Sequence, residues 1–200
     1  SPMLLVVRPG LPVENLKDLE KLLKESPNQY NFGSSGNGTI LHLAAEQFLK
    51  SSGTRSMHIP YRGTGPLVTA VLAGQVDWAV LALPAIAGLI QAGTMKAIAT
   101  ATPERLVALP DLPTGVEQGY PDYVVEGWIG VVGPKGLSDD TVNTVYEALK
   151  VAYTHPSVQE AMSKQGNIVT LRPPAEARAY FASESKKYAD LSQAAGLVPQ

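Results

Sequence analysis

A loop of short polar residues and glycines, residues 31–39, is the part of this sequence best suited to bind an anion. It reads Asn-Phe-Gly-Ser-Ser-Gly-Asn-Gly-Thr, and residues 40–49 after it have the spacing of an amphipathic helix. Free backbone N–H groups and the positive end of the helix dipole favour negative charge at a helix N-terminus. The loop therefore indicates a place for a carboxylate or a phosphate. The alternative is a tight strand-to-helix turn without a ligand.

Three well-known motifs for nucleotide binding and nucleophilic catalysis do not fit this loop. A P-loop needs Lys and then Ser or Thr after its last glycine, whereas Thr39 and Ile40 follow Gly38. The dinucleotide fingerprint needs a small residue where Leu41 stands. A nucleophile elbow needs glycine where Asn37 stands. The predicted anion site is therefore of a different kind.

A second polar loop follows the next predicted strand. Residues 57–66, Met-His-Ile-Pro-Tyr-Arg-Gly-Thr-Gly-Pro, again run from a strand through glycine to a helix start. Ligands of open α/β sheets bind beyond the carboxyl ends of strands, so we expect this loop to lie beside the first. Arg62 could pair with a carboxylate, with Tyr61 and Gly63 next to it. The alternative is a surface arginine beside a core tyrosine.

Asp77 and three histidines are further residues with chemical potential. Asp77 begins an apolar run and is expected to accept backbone N–H groups, with binding of a ligand amine as the alternative. His42, His58 and His155 lack the spacing of a zinc motif, so neither a metal site nor a cofactor is expected. His42, in the first helical turn, could touch the pocket of the loop or serve as a half-buried donor.

The elements that position these residues alternate along the chain. Strands are predicted at 3–7, 30–33, 57–60, 76–81, 95–100 and 123–132, and helices at 13–24, 39–50, 66–72 and 85–91. This alternation is typical of an α/β sheet with parallel strands. The proline-containing stretch 101–122 is predicted to be irregular. Past Gly133, three helices surround one predicted strand at 168–171.

The composition is that of an ordinary globular protein. The 200 residues are 44% hydrophobic and 17% charged with a net charge of −2, so nucleic acid is not an expected partner. The absence of cysteine excludes disulfides, thiolate zinc sites and a cysteine nucleophile. No apolar run reaches the length of a membrane span, and no signal peptide is expected in this chain.

Six short segments carry a pattern in a fixed order along the chain. They are residues 31–44, 58–63, 72–77, 90–99, 109–114 and 127–131. For example, His-Ile-Pro-Tyr-Arg-Gly at 58–63 is similar to His-Val-Pro-Tyr-Lys/Arg-Gly, and Leu-Pro-Asp-Leu-Pro-Thr at 109–114 is similar to Leu-Pro-Asp-Val-Pro-Thr. Together the segments resemble the Bug family, the periplasmic solute receptors of tripartite tricarboxylate transporters.

The resemblance implies an α/β fold of the periplasmic binding protein-like (type II) architecture, with a mixed sheet flanked by helices. Residues 1–8 would form a crossover strand and residues 9–122 the second lobe with its ligand loops. Residues 123–200 would form a return strand and C-terminal helices that complete the first lobe. The N-terminal part of the family, with its signal peptide and the opposite side of the cleft, is expected to be absent here. The C-terminal helices would then expose apolar faces and favour self-association.

The resemblance also implies a function. An extracytoplasmic, periplasmic receptor without enzymatic activity would bind a dicarboxylate, a tricarboxylate, an acidic amino acid or an aromatic acid. It would deliver this carboxylate to the integral membrane components of the transporter. The expected ligand-binding residues are Ser34, Ser35, Gly36, Asn37, Gly38, Thr39, Tyr61, Arg62, Gly63 and Asp77, the last by ordering a neighbouring loop. The alternative is an effector-binding domain of a transcription regulator with the same two-lobed architecture.

Overall fold

A five-stranded mixed sheet forms the centre of the protein. The computed structural model describes residues 1–164, 167, 169–194 and 196. The strands are β1 (Met3–Val7), β2 (Asn31–Ser34), β3 (Met57–Pro60), β4 (Trp78–Ala82) and β5 (Lys96–Thr100), in the order β3-β2-β4-β1-β5. β2 runs parallel to β3 and β4, whereas β1 runs antiparallel to β4 and β5. The sheet is therefore mixed: the parallel strands that the alternation predicts are β2, β3 and β4, and β1 inserts antiparallel between β4 and β5.

Helices connect the strands and then follow the sheet. They are α1 (Leu16–Glu25), α2 (Ile40–Ser52), α3 (Thr64–Leu72), α4 (Leu83–Gln91), α5 (Asp139–Thr154), α6 (Pro156–Lys164) and α7 (Pro174–Ala194). The predicted cap of α5 is present, since the Ser138 side chain accepts a hydrogen bond from the Thr141 N–H at 3.2 Å. In the described part of the chain, no helix has both the length and the apolar character that crossing a membrane requires.

The core lies on both faces of the sheet. All five residues of β1 are buried, as expected for a continuous apolar run in a two-sided strand. On one face, Phe48 of α2 meets Trp78 edge-on, with ring centroids 5.7 Å apart. On the other face, a Cβ at Gly33 would lie 2.3 Å from Leu67 Cδ1 of α3. Glycine in β2 therefore makes room for α3 on this face of the sheet.

Residues 123–132 do not form the predicted strand. Their pairing is limited to an isolated bridge between Pro2 and Glu126, although the Val125 N–H also donates to Ala101 O at 2.9 Å. A strand needs a continuous neighbouring backbone, and the described residues supply only these short contacts. Ile129 is consequently 95% exposed. Of the strand predicted at 168–171, Ile168 lies outside the described residues, and residues 169–171 are not a strand.

The C-terminal helices make few contacts with the core. α5 contains no buried residue, and Val151 on it is 71% exposed. α7 is attached near its end, where Leu191 is buried and the Tyr188 hydroxyl donates to Glu126 O at 3.1 Å. Large apolar side chains on this part of the chain, such as Val151 and Phe181, are thus left exposed.

Candidate anion-binding site at the carboxyl edge of the sheet

The carboxyl ends of the parallel strands lie at one edge of the sheet, which we call the carboxyl edge. β2, β3 and β4 all end there, and α2, α3 and α4 begin directly after them. The N-termini of α2 and α3, which follow the two predicted loops, contribute backbone N–H groups and a partial positive charge. The two predicted loops, after β2 and after β3, therefore share one electropositive edge.

Backbone hydrogen bonds join these two loops into one unit. The Tyr61 N–H donates to Ser34 O at 2.9 Å, and the Gly63 N–H donates to Ser35 O at 3.2 Å. Both bonds extend the pairing of β2 and β3 beyond the ends of the strands. A ligand that binds one loop is consequently held within reach of the other.

Hydroxyl groups inside the first loop serve mainly to hold its shape. Thr39 caps α2 by accepting a hydrogen bond from the His42 N–H at 3.4 Å, and its hydroxyl donates to Gly36 O at 2.8 Å. The Ser35 hydroxyl donates to Thr39 Oγ1 at 3.2 Å. Gly38 has a φ of 71°, in the left-handed region that glycine enters without strain.

Ser34 is fully buried at the base of this loop. Its Oγ lies 2.6 Å from His58 Nε2 and accepts a hydrogen bond from the Gly36 N–H at 3.2 Å. A serine next to a histidine is also the arrangement of an activated nucleophile. Because 0% of Ser34 is exposed, however, its hydroxyl cannot reach a substrate or ligand in this conformation. Its contacts indicate a structural role under the loop.

Two histidines support the loop from below, and sequence analysis identified only one of them as a neighbour of the loop. His42 and His58 stack with ring centroids 3.8 Å apart, and the Gly38 N–H donates to His42 Nδ1 at 3.1 Å. Burial, and then the neighbouring His42, lower the pKa of His58 to about 4. The sequence feature that could have identified His58 as a neighbour of the loop is its position in β3, where it lies opposite Phe32 of β2.

The third histidine, His155, lies far along the chain from this pair. His155 lies at the junction of α5 and α6, where its Nδ1 is 2.8 Å from Ser157 Oγ. Within residues 1–164, 167, 169–194 and 196, no three His, Cys, Asp or Glu side chains are grouped so that they could hold a metal ion.

The outer surface of the two loops offers free donors. Asn37 and Arg62 are exposed. Neither side chain has a hydrogen bond or an ion pair to any other described residue, and the same holds for the Tyr61 hydroxyl. A cationic side chain without a carboxylate partner, next to a helix N-terminus, is well suited to bind an external anion.

Asp77 lies at the amino ends of β2 and β4, opposite the carboxyl edge and away from the other predicted site residues. It precedes β4, and its Oδ1 accepts a hydrogen bond from Arg8 Nε at 2.8 Å. Its Oδ2 accepts one from the Asn31 N–H at 2.9 Å. The expected role in ordering a neighbouring segment agrees with these contacts. The structure does not bring Asp77 to the ligand loops, because β4 crosses the whole sheet between them.

Sequence comparisons relate the chain to a known family. A family model described as tripartite tricarboxylate transporter family receptor matches residues 1–197. A UPF0065 protein of Bordetella pertussis is 35% identical over 83% of this chain and 51% of its own length. Protein BugT of the same organism is 30% identical over 98% of this chain and 60% of its own length. The chain thus spans only part of the length of these relatives.

Solved structures share the fold. R. palustris Rpa4515, solved with adipate, matches with a TM-score of 0.89 and 27% identity, over 100% of this chain and 67% of that one. Periplasmic binding protein BugD matches with a TM-score of 0.85 and 29% identity, over the same shares of the two chains. The predicted fold class, a periplasmic binding protein-like mixed sheet flanked by helices, is confirmed. The chain belongs to the receptor family of the tripartite tricarboxylate transporters.

Proposed function

We propose that this protein is a periplasmic solute receptor that binds a small carboxylate and delivers it to the membrane components of a tripartite transporter. Dicarboxylates, tricarboxylates, acidic amino acids and aromatic acids are the candidate ligands. The adipate bound to Rpa4515 supports this class of ligand. In this proposal the protein is a binding protein and not an enzyme.

The free guanidinium of Arg62 carries the proposal. Arg62 lies between Tyr61 and Gly63, whose N–H groups donate to Ser34 O and Ser35 O, so its backbone is held beside the first loop and just before α3. We assign direct ligand contact to Asn37, Tyr61 and Arg62, and to backbone N–H groups of the loops. The remaining predicted residues of the two loops, Ser34, Ser35, Gly36, Gly38, Thr39 and Gly63, would shape the site.

The proposed division of the chain follows the same family. Residues 1–8 are the crossover, residues 9–122 are the second lobe with the ligand loops, and residues 123–200 complete the first lobe. The exposure of Ile129 (95%) and Val132 (80%) supports this division, since first-lobe elements of the full-length protein would cover these side chains. The chain without such a cover is expected to self-associate.

Calorimetric titration of the full-length protein with adipate, malate, citrate, glutamate and benzoate tests the proposal. We expect binding of at least one of them, and we expect Arg62→Gln to weaken it by about 10- to 100-fold. This factor corresponds to the ~1.5–3 kcal/mol of a hydrogen bond to a charged group.

Arg55→Gln is the matched control. Arg55 is an exposed arginine just before β3, at the opposite edge of the sheet, and it has no ion pair to another described residue. Equal losses of affinity in both variants would point to a general effect of net charge. An absence of binding to all five acids would contradict the proposed function.

A further inference from the structure

A stacked pair of histidines fills the space between the first loop and the sheet. His42, on α2, is only 4% exposed, and its ring lies on that of His58 from β3 at an interplanar angle of 13°. The ring of Phe32 stacks on His58 with a centroid distance of 4.9 Å. The three rings form a continuous layer beneath the loop, so neither imidazole can move without displacing its neighbour.

Each imidazole is tied to a different peptide of the loop. His42 Nδ1 accepts the hydrogen bond of the Gly38 N–H at 3.1 Å. His58 Nε2 lies 2.6 Å from Ser34 Oγ, which in turn accepts the N–H of Gly36 at 3.2 Å. The N–H groups of Gly36 and Gly38, the two glycines that flank Asn37, are thus held in place from below. Their orientation decides where the free donors of Asn37 point.

We infer that His42 and His58 are positioning residues that hold the first loop in the shape that binds the carboxylate. Neither ring touches the ligand in this view. Each acts through a glycine peptide, so its loss weakens binding by loosening the loop. The inference rests on the proposed function for its effect on affinity, but its effect on the loop is measurable without a ligand.

Charge on the pair would work against this arrangement. Apart from each other, the ionisable group that faces the two rings from α2, β2 and β3 is Glu46, whose Oε1 lies 3.5 Å from His42 Nε2. Phe32 of β2, which stacks on His58 and contacts Trp78 of β4, does not titrate. A proton on His42 Nδ1 would face the Gly38 N–H, and two charged rings in this stack would repel each other. Acid is therefore expected to loosen the loop.

The experiment uses two substitutions of His42 in the full-length protein, with His155→Leu as the control. Asn offers Oδ1 near the position of Nδ1 and can still accept from Gly38, whereas Leu is comparably bulky but has no acceptor. His155 is an exposed histidine outside the sheet. Amide hydrogen exchange at Gly38 and calorimetric titration with adipate are measured at about pH 7.5, where an ordinary histidine is mostly neutral.

We expect His42→Leu to speed exchange at Gly38 and to raise the Kd for adipate by about tenfold, the effect of losing one hydrogen bond. His42→Asn should remain within about threefold of wild type in both measurements, and His155→Leu should change neither. Equal effects of Leu and Asn, or unchanged exchange in His42→Leu, would overturn the inference. If adipate does not bind to wild type, the proposed function fails for this acid, and the exchange rates still decide the role of His42.

A second measurement requires no substitution. In the wild-type protein, the protection of the Gly36 and Gly38 amides, corrected for the intrinsic exchange rate, should fall as the pH is lowered from about 7 to about 4. Protection in α4 should change less, since its described residues include no ionisable side chain. Constant protection of the two glycine amides over this range would contradict the expectation that acid loosens the loop.

Discussion

Replacing Asp77 by Ala should lower the stability of the protein without weakening ligand binding. Asp77 lies at the amino end of β4, opposite the carboxyl edge, and its side chain is 12% exposed. One carboxylate oxygen accepts from Arg8 and the other from the Asn31 N–H at the start of β2. The substitution therefore removes a clamp between β1, β2 and β4, while both ligand loops keep their own contacts.

The size of the effect follows from these two bonds. The Arg8 side chain is 30% exposed, so water screens its bond to Asp77, and we assign about 1 kcal/mol to it. The Asn31 N–H loses its acceptor in a partly buried place, which costs about 1–3 kcal/mol. We expect Asp77→Ala to reduce the free energy of unfolding by roughly 2–4 kcal/mol. Asp77→Asn keeps an acceptor for Asn31 and should cost about half as much.

Urea unfolding of the full-length protein measures this loss, and calorimetry with the bound carboxylate measures affinity. A double-mutant cycle with Arg8→Ala isolates the ion pair, for which we expect a coupling of about 1 kcal/mol. If Asp77→Ala were as stable as the wild-type protein, the stabilising role of its two hydrogen bonds would be refuted. A tenfold loss of affinity in a folded Asp77→Ala protein would refute our placement of Asp77 outside the ligand site.

Three further substitutions or conditions test the packing around the site. Gly33→Ala should cost about 1–3 kcal/mol by urea unfolding because its Cβ meets Leu67, and Leu67→Val in the same chain should recover part of this loss. The folded-state pKa of His58, about 4, lies below its ordinary value of 6.5, so stability should be full above pH 6.5 and fall as the pH drops towards 4. The linkage relation gives a maximum loss of ~3 kcal/mol in the free energy of unfolding. Because the ring is partly exposed, we expect about half of this loss, and we expect no such loss in His58→Gln. Gln118→Leu should cost about 2–4 kcal/mol in the same assay, since its amide bonds both the first turn of α1 and a carbonyl of β5.

Local chemistry made much of the fold predictable. The apolar run of β1 and the cap of α5 at Ser138 depend on a few adjacent residues, and the structure has both where the sequence indicates them. The same is true of the loop before α2, because glycines, a capping threonine and helical spacing are all local signals. Two polar loops at the ends of parallel strands could therefore be placed side by side in advance.

Features that depend on pairing between distant segments were harder to predict. The strand expected at 123–132 has suitable residues, but a strand also requires a partner, which composition does not reveal. The position of Asp77 depends on which end of β4 it occupies, and the role of His58 depends on its register against Phe32. Exposure of Arg62 and burial of Ser34 likewise became visible only once both loops were in place.

The central position of β1 also has a consequence for how the chain folds. Its neighbours β4 and β5 are formed by residues 78–82 and 96–100, so β1 cannot be paired on both sides until the chain has been made as far as residue 100. Until then, an apolar Met-Leu-Leu-Val-Val segment remains without its partners. Closing such long loops is entropically costly and slows folding. Refolding at high protein concentration is therefore expected to compete with aggregation through this strand, even though in the native state it is among the best-protected parts of the molecule.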